Sequence, residues 1–199
     1  MTGKQKKDVS IHYSKNKKYF VVFNGEIYNY KNLKEHFKQH YFTKGSPDTN
    51  ILINLFEVKK IEKINTLLDG MYAYVVCDIS NKLIYISRDP QGEKTLFKYE
   101  DEKMIIISSE IDPILDYSGN NSISKDILKT YFYSRHFIQF DKTIYKNITM
   151  IEPGELIRIN CNNNKTTKLN STNIHNYIDE KKYSQNLKKS EDELVEELD

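Results

Sequence analysis

Tyr19-Phe20-Val21-Val22-Phe23-Asn24-Gly25-Glu26-Ile27-Tyr28-Asn29 decides how this chain reads, because an apolar run meets an Asn-Gly-Glu triplet. The run predicts a buried strand over Tyr19–Phe23 whose end presents polar groups at a cleft. Gly25 permits backbone conformations closed to other residues and leaves its N–H open, and the Asn24 amide adds a second donor beside it. Two donors converging on one point make a candidate oxyanion hole. Glu26 adds a carboxylate suited to a substrate ammonium group. An Asn-Gly pair is equally a two-residue hairpin turn, so the triplet alone leaves both readings open.

Working outward, Tyr30 to His40 has helical character, and a second amphipathic run covers Asn50 to Val58. Ser46, Asp48 or Thr49 can each cap that run. Met71 to Cys77 alternates Met71, Ala73, Val75 and Cys77 with Tyr72, Tyr74 and Val76. Both sets are mostly apolar, as expected for a strand in a sheet covered on two sides. Hairpin signals stand at Ile79-Ser80-Asn81-Lys82 and Glu100-Asp101-Glu102-Lys103. Ser124 caps a predicted helix running toward Ser134. Asn160 to Asn173, rich in Asn, Lys and Thr, reads as a loop or linker. Periodicity by itself supports mixed α and β.

Composition narrows the class. With 199 residues the chain has room for one domain and an extension, and 38% hydrophobic residues, including fifteen Tyr and nine Phe, can build a core. Thirty basic side chains against 28 acidic ones exert no strong pull on nucleic acid or anionic lipid. The Lys4, Lys6, Lys7 and Lys15, Lys17, Lys18 clusters read as solvated lysines. No apolar stretch has the length of a membrane span. Two cysteines, Cys77 and Cys161, make no disulfide framework and suit a reducing cytosol, so a cytoplasmic location is expected. The five histidines, His12, His36, His40, His136 and His175, lack metal-ligand spacing.

The order of motifs carries more. After the triplet come Ser46-Pro47-Asp48, then Gly70-Met71-Tyr72-Ala73-Tyr74, then Arg88-Asp89-Pro90-Gln91-Gly92-Glu93-Lys94-Thr95-Leu96-Phe97, then Ser108-Ser109-Glu110-Ile111. From about residue 3 to 158 this series resembles the class II glutamine amidotransferase domain (the N-terminal-nucleophile, Ntn, type) of glutamine-hydrolysing asparagine synthetases. That family carries NGEIYN, SDxE, GMFAF, RDxxGxKPLYY and SSEIK in the same order. The resemblance implies an α+β fold, the αββα sandwich of Ntn hydrolases, incomplete at its front. It implies Asn24 and Gly25 as the oxyanion hole and Gly25, Glu26 and Asp48 as the substrate-binding set. Pro47, inserted between Ser46 and Asp48, is expected to shift the Asp48 carboxylate. Arg88-Asp89 is expected to form an ion pair that fixes the following turn, and Glu110 is given a similar scaffold role.

The family's chemistry needs an N-terminal Cys that attacks the glutamine amide and releases ammonia through a thioester. The chain begins Met1-Thr2-Gly3-Lys4-Gln5 instead. Thr2 would be an N-terminal nucleophile of another kind, yet it lies only twenty-two positions before Asn24, closer than the family's nucleophile. Gly3-Lys4-Gln5 lines up with a G-x-Q-P segment preceding the strand. The arginine of the family's RHRGPD segment, which holds the glutamine α-carboxylate, has no counterpart here. The resemblance therefore implies an asparagine synthetase-like fragment, inactive alone, whose family role is glutamine hydrolysis to supply ammonia for ATP-dependent asparagine synthesis. A non-catalytic module that binds glutamine, or docks on a separate synthetase chain, is the alternative. The domain is expected over residues 1–159, a linker over 160–189, and the start of a synthetase domain over 190–199. ATP and Mg belong to that synthetase portion, and no cofactor or metal is assigned to this chain. The partners implied are glutamine, bound weakly, and a synthetase domain or chain, with no nucleic acid or membrane; the oligomeric state is open, a homodimer among the options.

Overall fold

The computed structural model describes residues 12–36, 47–58, 61–136 and 141–171. Thr2, Ser46, His40, His175 and the stretch 172–199 lie outside them. The elements run β1 (His12–Tyr13), β2 (Tyr19–Ile27), α1 (Tyr30–His36), α2 (Pro47–Val58), β3 (Gly70–Asp78), β4 (Leu83–Arg88), β5 (Phe97–Glu100), β6 (Ile105–Ser108), α3 (Asp112–Ser118), α4 (Lys125–Ser134), β7 (Ile148–Met150), β8 (Glu155–Asn160) and β9 (Lys165–Ser171). An antiparallel sheet carries the order β1-β2-β3-β4-β8-β9, and a smaller one the order β6-β5-β7.

Alternation along β2 and β3 builds two layers of core on the larger sheet. On one face, Val21, Ile27, Tyr72, Tyr74 and Val76 pack against Leu52, Leu55 and Phe56 of α2. On the other, Ala73 and Ile86 meet Ile105 and Ile107 of β6. Beyond the smaller sheet, Ile106 packs with Ile114 of α3. The order is thus helices, sheet, sheet, helix, and β3 is covered on both sides as its two apolar faces require.

Several expectations change in detail. The strand expected to stop at Phe23 continues through the triplet to Ile27, and Gly25 pairs with Tyr72 inside the ladder, so Asn24-Gly25 is no hairpin turn. Helix α2 begins at Pro47, three residues before the expected Asn50. A first-turn proline lacks only an N–H that has no intrahelical partner, and Asp48 and Thr49 sit within the helix rather than at its cap. The expected loop from Asn160 to Asn173 holds a strand instead of a continuous loop: after a turn at 161–164, Lys165–Ser171 forms β9 on the edge of the larger sheet, with a bulge at Leu156/Ile157, and residues 172 and 173 lie outside the described residues. Backbone pairing with β8, with Leu169 packed on the core and Lys168 paired with Glu152 and Glu155, makes that strand, which is why a hydropathy pattern misses it; Lys165 and Lys168 keep the edge polar. The caps at Ser124, whose Oγ accepts from the N–H of Ile127, and the turn at Asp78–Asn81 agree with the reading.

Two glycines fasten β2 to β3. Gly25 has φ +141°, and a Cβ there would stand 2.1 Å from the Met71 carbonyl oxygen; Gly70 has φ +150°, and its Cβ would stand 2.2 Å from the Glu26 carbonyl oxygen. Both contacts are with backbone that cannot swing aside. Gly25→Ala and Gly70→Ala should each cost roughly 3–5 kcal/mol in urea unfolding. Gly119→Ala, where φ is +65° and nothing lies within 4 Å, should cost only about 1 kcal/mol. Equal losses at the three positions would refute the close-approach argument.

Candidate functional site

Hydrogen-bond alternation along β2 settles where the backbone of Gly25 points. The Lys18 carbonyl accepts from Ile79 on the β3 side, and the Tyr19 carbonyl accepts from Ser14 on the β1 side. Directions alternate residue by residue in an antiparallel strand, so Gly25 and Ile27 turn their N–H groups away from β3. Tyr28, next in the alternation, donates back toward Asp69 on the β3 side at 2.7 Å. Among the described residues β1 reaches only Phe20 and Val21, and no strand lies opposite Gly25 on that edge.

Asn24 and Glu26 are exposed and share the face of β2 that looks toward the smaller sheet. The Asn24 amide donates from Nδ2 to the Ser109 hydroxyl at 3.3 Å. Asp48 approaches the same edge from α2, its carboxylate accepting the N–H of Ile27. The four residues therefore gather round the uncovered end of β2: two from one face, one backbone donor in the plane, and one carboxylate from the helix layer. Asp48 has its pKa raised, chiefly by desolvation, partly offset by the Ile27 N–H, and further raised by the negative charge of Glu26. Two carboxylates facing one edge disfavour each other's charge and favour a cation between them.

Arg88 and Asp89 hold the turn after β4, though without pairing with each other as expected. Arg88 donates to the carbonyls of Lys94, Gly92 and Ile151, at 2.5, 2.6 and 2.8 Å. Asp89 accepts the N–H groups of Gln91, Glu93 and Lys94. Buried as they are, each satisfies its charge on backbone dipoles instead of on its neighbour. Glu110 is exposed, and its N–H binds the Ser108 hydroxyl at 3.1 Å.

Sequence reading gave no role to Asn29, Thr95 or Ser109. Asn29 donates to the Leu67 carbonyl at 2.8 Å and accepts from Asp69 N–H at 3.1 Å, tying the approach to β3 onto the end of β2. An Asn closing an apolar strand is the signal that was there to be used. Beside the site lies a cavity of about 360 Å³ lined by Tyr28, Leu68, Asp69, Gly70, Pro90, Gln91 and Glu93. None of the four expected residues lines it. The Tyr28 hydroxyl is held above its ordinary pKa by desolvation first and then by Glu93, Glu26, Asp69 and Asp89, so this end of the sheet carries a negative field.

The cysteines sit elsewhere. Cys77 pairs with Phe20, four residues along the ladder from the Ala73–Asn24 pair, roughly 13 Å away at strand spacing. Burial, with a smaller contribution from Cys161, pushes its thiol up to about 12, which keeps it protonated. Cys161 is exposed beyond β8 at the same far end. Among the described residues no group of three His, Cys, Asp or Glu is placed to hold a metal ion, and no helix is long and apolar enough to cross a membrane.

Two layered antiparallel sheets with helices on their outer faces are the arrangement of an Ntn-type fold. Residues 9–170 match the glutamine amidotransferase domain family, and the chain belongs to it. It is 35% identical over 135 residues to a putative asparagine synthetase [glutamine-hydrolyzing] 2 of Methanocaldococcus jannaschii, covering 66% of this chain and 25% of that one. The human asparagine synthetase [glutamine-hydrolyzing] is 39% identical over 79 residues, 40% of this chain and 14% of the relative. Asparagine synthetase [glutamine-hydrolyzing] 1 of Bacillus subtilis is 28% identical over 151 residues, 75% of this chain and 24% of its own. The chain spans about a quarter or less of the length of these curated relatives. The fold is shared with a glutamine phosphoribosylpyrophosphate amidotransferase from B. subtilis, at TM-score 0.56 and 19% identity over 83% of this chain and 32% of that one.

The raised pKa of Asp48 has a testable consequence. A carboxyl whose folded pKa lies above its unfolded value weakens the native state once pH exceeds the unfolded value, and the penalty is complete above the folded one. Asp48→Asn keeps an oxygen for the Ile27 N–H and removes the charge. It should raise Tm by about 1–2 °C at pH 7, with the gain vanishing as the pH falls below about 3.8. A loss of stability at pH 7 would show that Glu26 and desolvation do not govern this carboxyl.

Proposed function

We propose that this chain is an asparagine synthetase-like amidotransferase domain that cradles the side-chain amide of glutamine without cleaving it alone. The observation that carries this reading is the Gly25 N–H turned to an open edge beside the Asn24 amide, two donors suited to one carbonyl oxygen. Glu26 and Asp48 flank the same edge and supply negative charge for the α-ammonium group. Hydrolysis needs a nucleophile within bonding reach of that oxygen site, and the thiols of Cys77 and Cys161 are at the other end of the sheet. The amide nitrogen, in the lineage's reaction, goes as ammonia to ATP-dependent asparagine synthesis on a synthetase portion, where ATP and Mg act. The negative field near Glu26 and Glu93 suits a cationic group better than a bare anion, so free glutamine, whose α-carboxylate has no basic partner among the four site residues, is held weakly.

Titration of the 199-residue chain with L-glutamine, followed by amide NMR, should give a Kd on the order of millimolar, with shifts centred on Gly25 and lost in Asn24→Ala. D-Glutamine should shift them less. The chain should release no ammonia from glutamine above a buffer blank. Turnover abolished by Thr2→Ala would overturn the non-cleaving part of the reading, and an absent response at Gly25 would overturn the cradle.

A further inference from the structure

An exposed Asn on a strand has a broad terminal torsion, so its amide plane swings unless something fixes it. A donor that must meet developing negative charge is effective only when its direction is set beforehand. In this chain one contact fixes the Asn24 amide from across the sandwich: Nδ2 donates to the hydroxyl of Ser109, 85 residues away at the end of β6. The NH₂ group has two hydrogens. With one engaged by Ser109, the other has a defined direction in the amide plane.

Ser109 is itself held. Its carbonyl accepts the Thr95 hydroxyl at 2.8 Å, and Thr95 directly follows the turn that Arg88 and Asp89 clamp through Lys94. The neighbouring serine does something else, since Ser108 uses its hydroxyl on the N–H of Glu110 at 3.1 Å. Two adjacent serines are thus divided between closing a turn and reaching across to β2. Thr95 stands where the RDxxGxKPLYY pattern has proline, and a proline has no hydroxyl to make this bond.

We propose that Ser109 is a positioning residue for the Asn24 amide and that Thr95 sets the position of Ser109 in turn. The proposal rests on the amide-cradling reading, and acts through Asn24 with no contact of Ser109 to the bound molecule. It also gives a role to an exposed serine–asparagine contact that joins the two sheets where Val22, Asn24 and Glu26 leave the inner face of β2 uncovered.

The test follows ¹⁵N relaxation of the Asn24 side-chain amide in the full chain, with and without L-glutamine. The wild-type group should have an order parameter near 0.8, and Ser109→Ala should bring it below about 0.6. Ser109→Thr, which keeps the hydroxyl, should restore it, Thr95→Val should give an intermediate value, and Ser108→Ala should leave it unchanged. L-Glutamine binding should weaken about 3- to 10-fold in Ser109→Ala, the loss of one hydrogen bond's net contribution. An unchanged Asn24 order parameter in Ser109→Ala, or an equal loss in Ser109→Thr, would overturn the proposal. Should Ser109→Ala fail to fold, the Thr95→Val and Ser109→Thr pair decides the matter alone. A wild-type chain indifferent to glutamine but with Asn24 loosened by Ser109→Ala would sink the cradle and keep the positioning role.

Discussion

The backbone contact between β2 and β3 at Gly25 and Gly70 governs the geometry of everything at this end of the molecule. Each glycine's α-carbon lies against the other strand's carbonyl, so the ladder runs in register from Tyr19–Asp78 to Ile27–Gly70 without a bulge. Register fixes faces, because a slip of one residue would turn Asn24 and Glu26 into the helix layer and Val21 out of it. It also fixes the direction of the Gly25 N–H. A side chain at either glycine would force the strands apart, and the donor pair would lose both its spacing and its orientation.

The second constraint is electrostatic. Asp48, in the first turn of α2, gains from the positive end of that helix and from the Ile27 N–H, yet sits where desolvation and Glu26 both oppose its charge. The carboxylate is therefore held in a place that stability alone would not choose. Arg88 and Asp89 show the contrasting case. They are more deeply buried, and every side-chain hydrogen bond they make goes to a backbone group: Asp89 and two of the Arg88 donors serve the turn itself, and the third Arg88 donor reaches the Ile151 carbonyl. The charges thus separate by what they face: backbone dipoles for the buried pair at the turn, another carboxylate for half-buried Asp48 at the edge.

Individual strands and helix starts were legible because their signals are local or periodic, whereas the layering came from the order of motifs. Apolar alternation in Met71–Cys77 marks a strand covered on both sides, Ser124 marks a helix start, and Asp78–Asn81 marks a hairpin. The end of β2 was harder to read. A strand with Asn-Gly-Glu inside it looks like a strand followed by a turn until its partner is known, and that partner's glycine lies 45 residues on. β9 was hidden for a related reason, since an edge strand of Lys and Thr gains its place by backbone pairing with β8 and buries little. Pro47, expected to shift the Asp48 carboxylate, stands in the first turn of α2, so Asp48 belongs to the helix and not to the segment before it. The contacts of Ser109 and Thr95 had no local signature at all, because each depends on which turn of one sheet lies over which strand of the other.

That dependence says how the two sheets divide the work. The larger sheet carries the donor groups, and the smaller one lies over β3, β4 and β8 through Ile105 and Ile107 while its β6 edge ends beside the inner face of β2. Val22, Asn24 and Glu26 stay exposed on that face, and Val22 is the apolar one among them, which makes the β2 side of the larger sheet different from its β4 and β8 side, where Ile86, Ile157 and Ile159 are buried. A cleft of this kind needs its polar groups held from more than one side, because water competes for each of them. The strand holds Gly25 through register, the helix holds the carboxylate, and the smaller sheet reaches the amide with one hydroxyl. Together they fix which polar groups face the open edge of β2.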